Sequence, residues 1–384
     1  MKKISIAERP DWQRIVEGEG FDFHTIDGER YWDERGYYQF SEAQISRDLE
    51  APTREIHEMC LDTVERVVAS EELLSRLAIP PAFFDLVRDS WREGHPHLYG
   101  RFDFSYDGQG PAKCIEANYD TPTSLLEAAS VQLLWLEDRI AAGVLPASAT
   151  QFNSIAEDLV QAFSAFPADA PFHFSAMSGS VEDRGTTDFL RRMARHAGID
   201  ARHIDIEDIG LRGGRFVDLD GQWIQRLFKL HAWEHIFLEP FGKAVPGCDT
   251  QFVEPAWKSI ISNKGVLALL WEFNQGHPNL LPTFVDREPQ RAVRPGWVRK
   301  PYFSREGANI ALRTRDGELL EADGPYTDAP YILQQFAPLP RFGDSYTLIG
   351  SWVIGDLASG IGIREDDSLI TKDTSRFLPH VVLD

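Results

Sequence analysis

The chain has 384 residues, of which 43% are hydrophobic and 11% aromatic, so it can bury a sizeable core and is not globally disordered. Its 39 Lys and Arg residues against 60 Asp and Glu residues give a net charge of −21. This acidity argues against a nucleic-acid partner, because phosphate binding needs a basic surface. It is compatible with a cationic substrate such as a polyamine, although net charge mainly sets solubility.

The cysteines and the chain start predict the compartment. Cys60, Cys114 and Cys248 have no metal-site spacing, and an odd count does not suggest a disulfide framework. The first residues lack the apolar core of a signal peptide, and no apolar run is long enough to cross a bilayer. We therefore predict a cytoplasmic protein without a nucleic-acid or membrane partner; the oligomeric state stays open.

The first part of the chain, residues 1–98, is predicted to be a mainly helical segment with aromatic-rich loops. Ser41 with Gln44 forms a capping-box pattern, which favours a helix that begins there. Pro52 should break or restart that helix. Beyond it, apolar residues recur at three- and four-residue steps across 56–68, which predicts one buried helical stripe.

A β-hairpin is predicted over residues 101–120, with a turn at Asp107-Gly108. Polar and apolar residues alternate on both strands, and residues two apart on a strand share a face. One face therefore carries the polar set Arg101, Asp103, Glu116 and Asn118.

That polar face has the chemistry of a magnesium site. Two carboxylates and one amide oxygen are hard ligands suited to Mg²⁺, and an arginine beside them can hold a phosphate or a developing anion. A hairpin with one solvated face produces the same alternation, so the pattern alone leaves both interpretations open. We predict a metal-binding hairpin within residues 99–130.

The rest of the chain mixes helices and strands. Residues 170–210 are predicted as strand, helix and strand, with the helix from Thr187 to His196 and Gly198 ending it. A second hairpin is expected between Val217 and Leu227 across Asp220-Gly221. Residues 255–275 have a helical pattern, and short strands and turns follow from 296. The sum is an α+β protein without a regular Rossmann rhythm.

Two lysines have surroundings that suit nucleotide phosphates. Lys264 precedes a glycine, and Lys300 ends a predicted strand before a turn that contains Gly307. A lysine is a point charge that suits phosphate, and a glycine lets backbone amides approach it. No P-loop pattern is present, and each lysine alone is better explained as a surface residue.

Taken in order, the motifs resemble the synthetase portion of the glutathionylspermidine synthase family. The resemblance extends from about residue 30 to the end of the chain and rests on Arg101-Phe102-Asp103-Phe104, Glu116-Ala117-Asn118, Trp233-Glu234, Asn263-Lys264, Lys300-Pro301 and Gly362-Ile363-Arg364. It implies a stand-alone homologue without the amidase domain of the bifunctional enzymes.

The resemblance also implies a fold: a mixed α+β, ATP-grasp-like synthetase with a permuted order of elements. The chain, 1–384, would be one synthetase unit. Residues 165–255 would form an αβ substrate portion of the pre-ATP-grasp type. Residues 256–384 would bind ATP, with a mobile lid near 300–335.

Carried over by position, the resemblance assigns roles to individual residues. The magnesium ligands would be Asp103, Glu116 and Asn118. The catalytic residues near the reacting groups would be Arg101 and Arg364. The residues that contact ATP would be Arg101, Asp103, Lys264, Lys300, Glu306, Gly307, Gln335, Phe336, Ala337 and Pro338. The substrate residues would be Thr121, Thr123, Glu182, Asp183 and Glu234.

The function that follows is an ADP-forming acid–amine ligase that uses ATP and Mg²⁺. A peptide acid such as glutathione would be activated as an acyl phosphate, and an amine such as spermidine would displace the phosphate. Two alternatives remain. His231, Glu234 and His235 fit the H-x-x-E-H pattern of a zinc hydrolase. The chain could also be a peptide- or nucleotide-binding homologue without turnover.

Overall fold

The structure is a computed structural model that describes residues 1–26, 28–326, 329–372 and 375–384. Its α-helices are α1 (Trp12–Glu17), α2 (Glu42–Ile45), α3 (Ala51–Val68), α4 (Glu71–Arg76), α5 (Phe84–Arg92), α6 (Gln132–Ala141), α7 (Ile155–Phe163), α8 (Val181–His196), α9 (Trp233–Ile236), α10 (Lys258–Ile261) and α11 (Val266–Phe273). Shorter 3-10 turns are Pro81–Phe83, Ile206–Asp208 and Phe241–Ala244, and π-helical turns are Ser46–Glu50 and Glu127–Val131.

The strands alternate with these helices along the chain. They are β1 (Lys2–Ser5), β2 (Thr25–Ile26), β3 (Glu29–Arg30), β4 (Gly36–Phe40), β5 (Tyr99–Ser105), β6 (Lys113–Asn118), β7 (Phe172–Ala176), β8 (Ala201–Asp205), β9 (Gly210–Arg212), β10 (Arg215–Val217), β11 (Arg226–Lys229), β12 (Gln251–Val253), β13 (Thr283–Asp286), β14 (Trp297–Pro301), β15 (Ala311–Arg313), β16 (Leu319–Glu321), β17 (Tyr331–Gln335), β18 (Arg341–Phe342), β19 (Ser345–Ile354), β20 (Leu357–Asp366), β21 (Arg376–Leu378) and β22 (His380–Val382).

An antiparallel sheet of order β21-β20-β19-β5-β6 lies at the centre of the fold, and β18 also pairs with β19. The predicted hairpin forms its β5–β6 edge. The buried stripe of α3, with Ile56, Cys60 and Val64 fully buried, belongs to the same core as Phe102 and Phe104 of β5. Burial of that apolar face leaves the polar face of the hairpin directed away from this core.

A parallel sheet of order β12-β11-β7-β8 is the second main unit. The strand–helix–strand prediction is confirmed by β7, α8 and β8, although α8 begins six residues before the predicted start at Thr187. All five residues of β7 are buried, as expected for a strand covered on both faces. Gly198, with φ of 84°, ends the helix as predicted.

The predicted second hairpin between Val217 and Leu227 is wrong as a strand pair. A turn does form there, but only an isolated bridge joins Val217 to Trp223. β10 pairs with β9, and β11 pairs in parallel with both β7 and β12. The Asp-Gly signal assigned β11 to a local hairpin, whereas β11 instead forms parallel pairs with β7 and β12.

A third sheet, of order β13-β17-β14-β15-β16, is antiparallel and has a small core of Val298, Leu312 and Phe336. A fourth, of order β1-β4-β22, brings the first and last strands together. The short strands predicted after residue 296 are present, but β19 and β20 are ten residues each and belong to the central sheet.

Two helix predictions are modified by local geometry. The Ser41 and Gln44 capping box is confirmed at the start of α2. Pro52 does not break the helix, because the π-helical turn Ser46–Glu50 joins α2 to α3 and places the proline in the first turn of α3. The helix predicted at 255–275 is divided into α10 and α11 by a break around Lys264.

Across the part of the chain that the structure describes, no helix combines the length and the apolar character that crossing a bilayer requires.

Candidate active site

The hairpin places its polar residues in opposed pairs. Arg101 lies opposite Asn118, and Asp103 lies opposite Glu116. A bulge then follows between Asp103 and Phe104, so that Phe104 pairs with Cys114. Cys114 is therefore in the apolar core, whereas strict alternation would place it on the same face as Glu116.

The carboxylate of Asp103 is held between two arginines. Arg101 Nε lies 2.7 Å from Oδ1, and an Arg364 terminal nitrogen lies 2.8 Å from Oδ2. Burial alone would raise the pKa of Asp103, but the two guanidinium groups outweigh it and lower the pKa. Arg101 also donates to the carbonyl oxygen of Thr123 at 2.9 Å, which fixes the guanidinium between the hairpin and the following loop.

A glycine makes room for the Arg101 side chain. Gly350 of β19 pairs with Asp103, and a Cβ at Gly350 would lie 2.9 Å from Arg101 Cδ. Any larger residue would have to displace the arginine. Glycine inside a strand is the sequence signal for such a close approach, and it was not used in the predictions.

The two predicted lysines occupy different positions. Lys264 lies in the break between α10 and α11, where its Nζ is 3.1 Å from Glu116 Oε1 and also donates to the carbonyl oxygen of Ser304. Lys300 lies behind the hairpin, where Nζ donates to the carbonyl oxygen of Ile115 at 2.8 Å and to Gln334 Oε1 at 2.9 Å. Burial lowers the pKa of Lys300 to about 8.

One cleft collects most of the predicted site residues. Those that line it are Arg101, Asp103, Glu116, Asn118, Thr121, Thr123, Glu182, Glu234, Lys264, Glu306, Gly307 and Arg364. Those that lie outside its lining are Asp183, Lys300, Gln335, Phe336, Ala337 and Pro338. The last four line a separate cavity of about 410 Å³ beside Trp271 and Pro282.

We call one end of the cleft the cationic end. It consists of Arg101, Lys264 and Arg364, together with the carboxylates of Asp103 and Glu116. An oxygen of each of these carboxylates lies within 3.1 Å of a lysine or arginine nitrogen. Asp103, Glu116 and Asn118 offer two carboxylates and an amide on neighbouring strands, and this donor set fits Mg²⁺.

The other end of the cleft, which we call the acidic end, consists of Tyr31, Glu127 and Glu182. Of these three residues, Glu182 was expected as a substrate residue, whereas Tyr31 and Glu127 were not expected. The Tyr31 hydroxyl lies 2.8 Å from Glu127 Oε1 and 3.4 Å from Glu182 Oε1. Burial, and then the charge of Glu182, raise the pKa of Glu127 to about 8. Neither carboxylate has a salt bridge to any residue that the structure describes.

A loop covers the cleft between these ends. Arg305 forms an ion pair with Glu234, and it lies 3.4 Å from His235 Nε2. Gly307 has φ of 74°, and a Cβ there would lie 2.6 Å from Ile370 Cγ2, so the loop needs a glycine at this position. The lid predicted near 300–335 includes residues 327 and 328, which lie outside the described part of the chain.

Two buried ion pairs join the hairpin to the parallel sheet. Asp120, just after β6, accepts from Lys229 Nζ at 2.5 Å and from the backbone N–H of Trp233 at 2.7 Å. Glu254 pairs with Lys258 at 2.5 Å and also accepts the backbone N–H groups at the start of β5. Fully buried pairs of this kind fix one arrangement, because breaking either pair leaves an uncompensated charge.

The H-x-x-E-H residues do not form a zinc site. Helix α9 begins at Trp233, so His231 lies outside it and bonds instead to Glu239 at 2.8 Å. Glu234 is engaged by Arg305. Within the described ranges, no group of three or more His, Cys, Asp or Glu side chains is arranged to hold a metal ion.

Comparison with known proteins identifies the family. Residues 3–383 match the profile of "Glutathionylspermidine synthase preATP-grasp". The chain belongs to this family. A Haemophilus influenzae protein named "Putative acid--amine ligase" is 38% identical over 99% of both chains.

Two other relatives are longer than this chain. Trypanothione synthetase of Crithidia fasciculata is 28% identical over 84% of this chain and 53% of its own length. The bifunctional glutathionylspermidine synthetase/amidase of Escherichia coli is 26% identical over 90% of this chain and 59% of its own length. The chain thus spans a little over half of these two relatives.

A solved structure supports the fold. The glutathione synthetase-like effector of Globodera pallida matches with a TM-score of 0.55 and 11% identity over 90% of this chain and 89% of that chain. At this identity the likeness concerns the fold alone. With the family match it confirms the prediction of a mixed α+β, ATP-grasp-like synthetase.

Proposed function

We propose that the protein is an ADP-forming acid–amine ligase that uses ATP and Mg²⁺. The observation that carries the proposal is the opposed pair Asp103 and Glu116, surrounded by Arg101, Lys264 and Arg364 within one cleft. Metal-ligand oxygens beside several cations are what phosphoryl transfer needs, since the protein's task there is positioning and charge neutralisation.

In the first step, a carboxylate oxygen of the acid attacks the γ-phosphorus of ATP, and the bond to the β-phosphate oxygen breaks. ADP leaves with the electron pair, and an acyl phosphate forms. Arg101 and Arg364 face the transferred group and stabilise its charge. Mg²⁺ held by Asp103, Glu116 and Asn118 would neutralise charge on the phosphates.

In the second step, an amine attacks the acyl carbonyl carbon and inorganic phosphate leaves. The names of the relatives suggest glutathione as the acid and spermidine as the amine. Hydroxyl groups of Thr121 and Thr123 are suited to the peptide, and acidic side chains of Glu182, Asp183 and Glu234 are suited to a cationic amine.

The remaining assignments concern the nucleotide. Lys264 and Lys300 would hold phosphates, with Glu306 and Gly307 in a lid above them. The cavity beside Gln335, Phe336, Ala337 and Pro338 would receive adenine, whose edge can bond to backbone groups of a strand end. The chain would then divide into a hairpin at 99–130, a substrate portion at 165–255 and an ATP portion at 256–384.

A screen for ADP release tests the proposal. Peptide acids are crossed with polyamines and amino acids, each with ATP and Mg²⁺, and ADP and the coupled product are both measured. We expect ADP and amide in equal amounts for at least one pair, with glutathione and spermidine as the first pair to try. ATP binding without ADP release for any pair would favour a homologue that binds but does not turn over.

A further inference from the structure

The acidic end contains two carboxylates and a single hydroxyl hydrogen between them. Tyr31 can donate its hydrogen to Glu127 at 2.8 Å or to Glu182 at 3.4 Å, but not to both at once. Glu127 is 1% exposed and does not line the cleft, whereas Tyr31 and Glu182 do. A path of hydrogen bonds therefore leads from the cleft to a buried carboxylate.

The surroundings place this path beside the reacting groups. Phe377 packs on the Tyr31 ring at 5.0 Å and lies under the Arg364 guanidinium at 6.0 Å. The charged groups that face Glu127 are Glu182 and Arg101, and Arg364 faces Tyr31. The acidic end is thus adjacent to the arginines that are proposed to hold the transferred phosphoryl group.

We propose that Tyr31 and Glu127 accept the proton of the attacking amine, while Glu182 binds its ammonium form. This inference rests on the proposed function and deepens it. An ammonium group has no lone pair, so a primary amine that binds in its protonated form must lose one proton before it can attack. A peptide acid activated at the cationic end would meet this amine at the acidic end.

The proton balance is as follows. The ammonium gives one proton to the Tyr31 oxygen as the Tyr31 hydrogen moves to Glu127, so that Tyr31 stays neutral. The nitrogen lone pair forms the C–N bond, and the C–O bond to phosphate breaks with its electrons on phosphate. The second nitrogen proton passes to the departing phosphate. Glu127 then releases its proton to solvent through the same hydroxyl.

The acidity of the buried group suits this role. A general base works best when its pKa is near the working pH, and burial followed by the charge of Glu182 raises the pKa of Glu127 to about 8. Glu127 is charged, and able to accept, only as the pH rises through that value. The amine-dependent rate should therefore rise with pH through about 8 in the wild type.

Hydroxylamine separates this role from the rest of the chemistry. It is largely unprotonated at neutral pH, so it attacks an acyl phosphate without giving up a proton first. With glutathione as acid, Glu127→Gln should lower the rate with spermidine relative to hydroxylamine by at least about tenfold, and it should remove the rise near pH 8. Tyr31→Phe should do the same.

A matched control is Tyr106→Phe, which removes the hydroxyl of another buried tyrosine. The Tyr106 hydroxyl donates to the Asp48 carboxylate at 2.6 Å, and both residues lie outside the cleft. This variant should leave the ratio of the two rates unchanged. If Glu127→Gln does not fold, Tyr31→Phe carries the test. Equal losses with both nucleophiles in these variants, or an unchanged pH profile, would overturn the inference while the proposed function stands. Absence of hydroxamate from the wild type with every peptide acid of the ADP-release screen would overturn both.

Discussion

Each end of the cleft has two carboxylates, but the side chains that surround those carboxylates differ. At the cationic end, Asp103 and Glu116 are matched by arginine and lysine groups within 3.1 Å. At the acidic end, Glu127 and Glu182 share one tyrosine hydroxyl. The first arrangement is ready to receive the negative charge of phosphates. The second has no salt bridge to any described residue, so that a cationic substrate completes it.

The largest expected effect comes from removing a carboxylate at the cationic end. Glu116→Ala should lower Mg²⁺-dependent ADP release by more than about 100-fold, because losing a mere partner of a metal ligand already costs about 10- to 100-fold. The control is Glu318→Ala, which removes an exposed carboxylate between β15 and β16. ADP release that is unchanged in folded Glu116→Ala would remove this residue from the metal site.

Arg101→Ala should lower acyl-phosphate formation by about 100- to 1000-fold, since we propose that the guanidinium stabilises charge that develops during transfer. Arg101→Lys should recover only part of it, because lysine cannot hold Asp103 and a phosphoryl oxygen in one planar fork. Arg226→Ala controls for lost packing. Arg226 is also a buried arginine, but it lies outside the cleft and pairs with Asp169 at a distance of 2.6 Å. Equal losses in Arg101→Ala and Arg226→Ala would make Arg101 structural.

Lys300→Ala tests the nucleotide assignment with a smaller effect. It should weaken the binding of ATP by about 10- to 100-fold and the binding of adenosine much less, because an ammonium group contacts phosphate and not the base. Calorimetric titration of both ligands measures the difference, and Lys243→Ala, an exposed lysine, serves as control. Equal weakening of ATP and adenosine would mean that Lys300 only supports the hairpin through Ile115.

The smallest effect is expected at the H-x-x-E-H residues. His231→Ala removes a hydrogen bond to Glu239 and a ring contact with His235, and it should leave ADP release and metal content unchanged. A zinc-selective chelator should likewise have no effect on ADP release. One equivalent of zinc per chain that disappears in the variant would reverse this conclusion and favour the hydrolase.

Local signals predicted the hairpin well. Alternation with period two needs only the residues of the strands themselves, and it places Asp103 and Glu116 on one face. The register that sets these two residues opposite each other is seen only in the structure. The bulge that moves Cys114 into the core was not predictable, because strict alternation places Cys114 on the same face as Glu116. The hairpin predicted at Val217 failed because β11 pairs with β7, which is distant in sequence.

The acidic end could not be predicted for a related reason. Tyr31 and Glu127 are 96 positions apart, and neither lies in a motif with recognisable spacing. Resemblance to a family supplied the residues of the cationic end and Glu182, but a buried partner behind the cleft has no short sequence pattern. Only the packing of the first loops against the π-helical turn Glu127–Val131 reveals it.

Hydroxylamine trapping without any amine tests the central claim most directly. The wild type is incubated with ATP, Mg²⁺, glutathione and hydroxylamine, and hydroxamate, ADP, AMP and pyrophosphate are measured. An acyl phosphate predicts hydroxamate and ADP in equal amounts, with no hydroxamate when Mg²⁺ or glutathione is left out. Release of AMP and pyrophosphate, or ADP formation with no hydroxamate at any hydroxylamine concentration, would contradict the ligase mechanism.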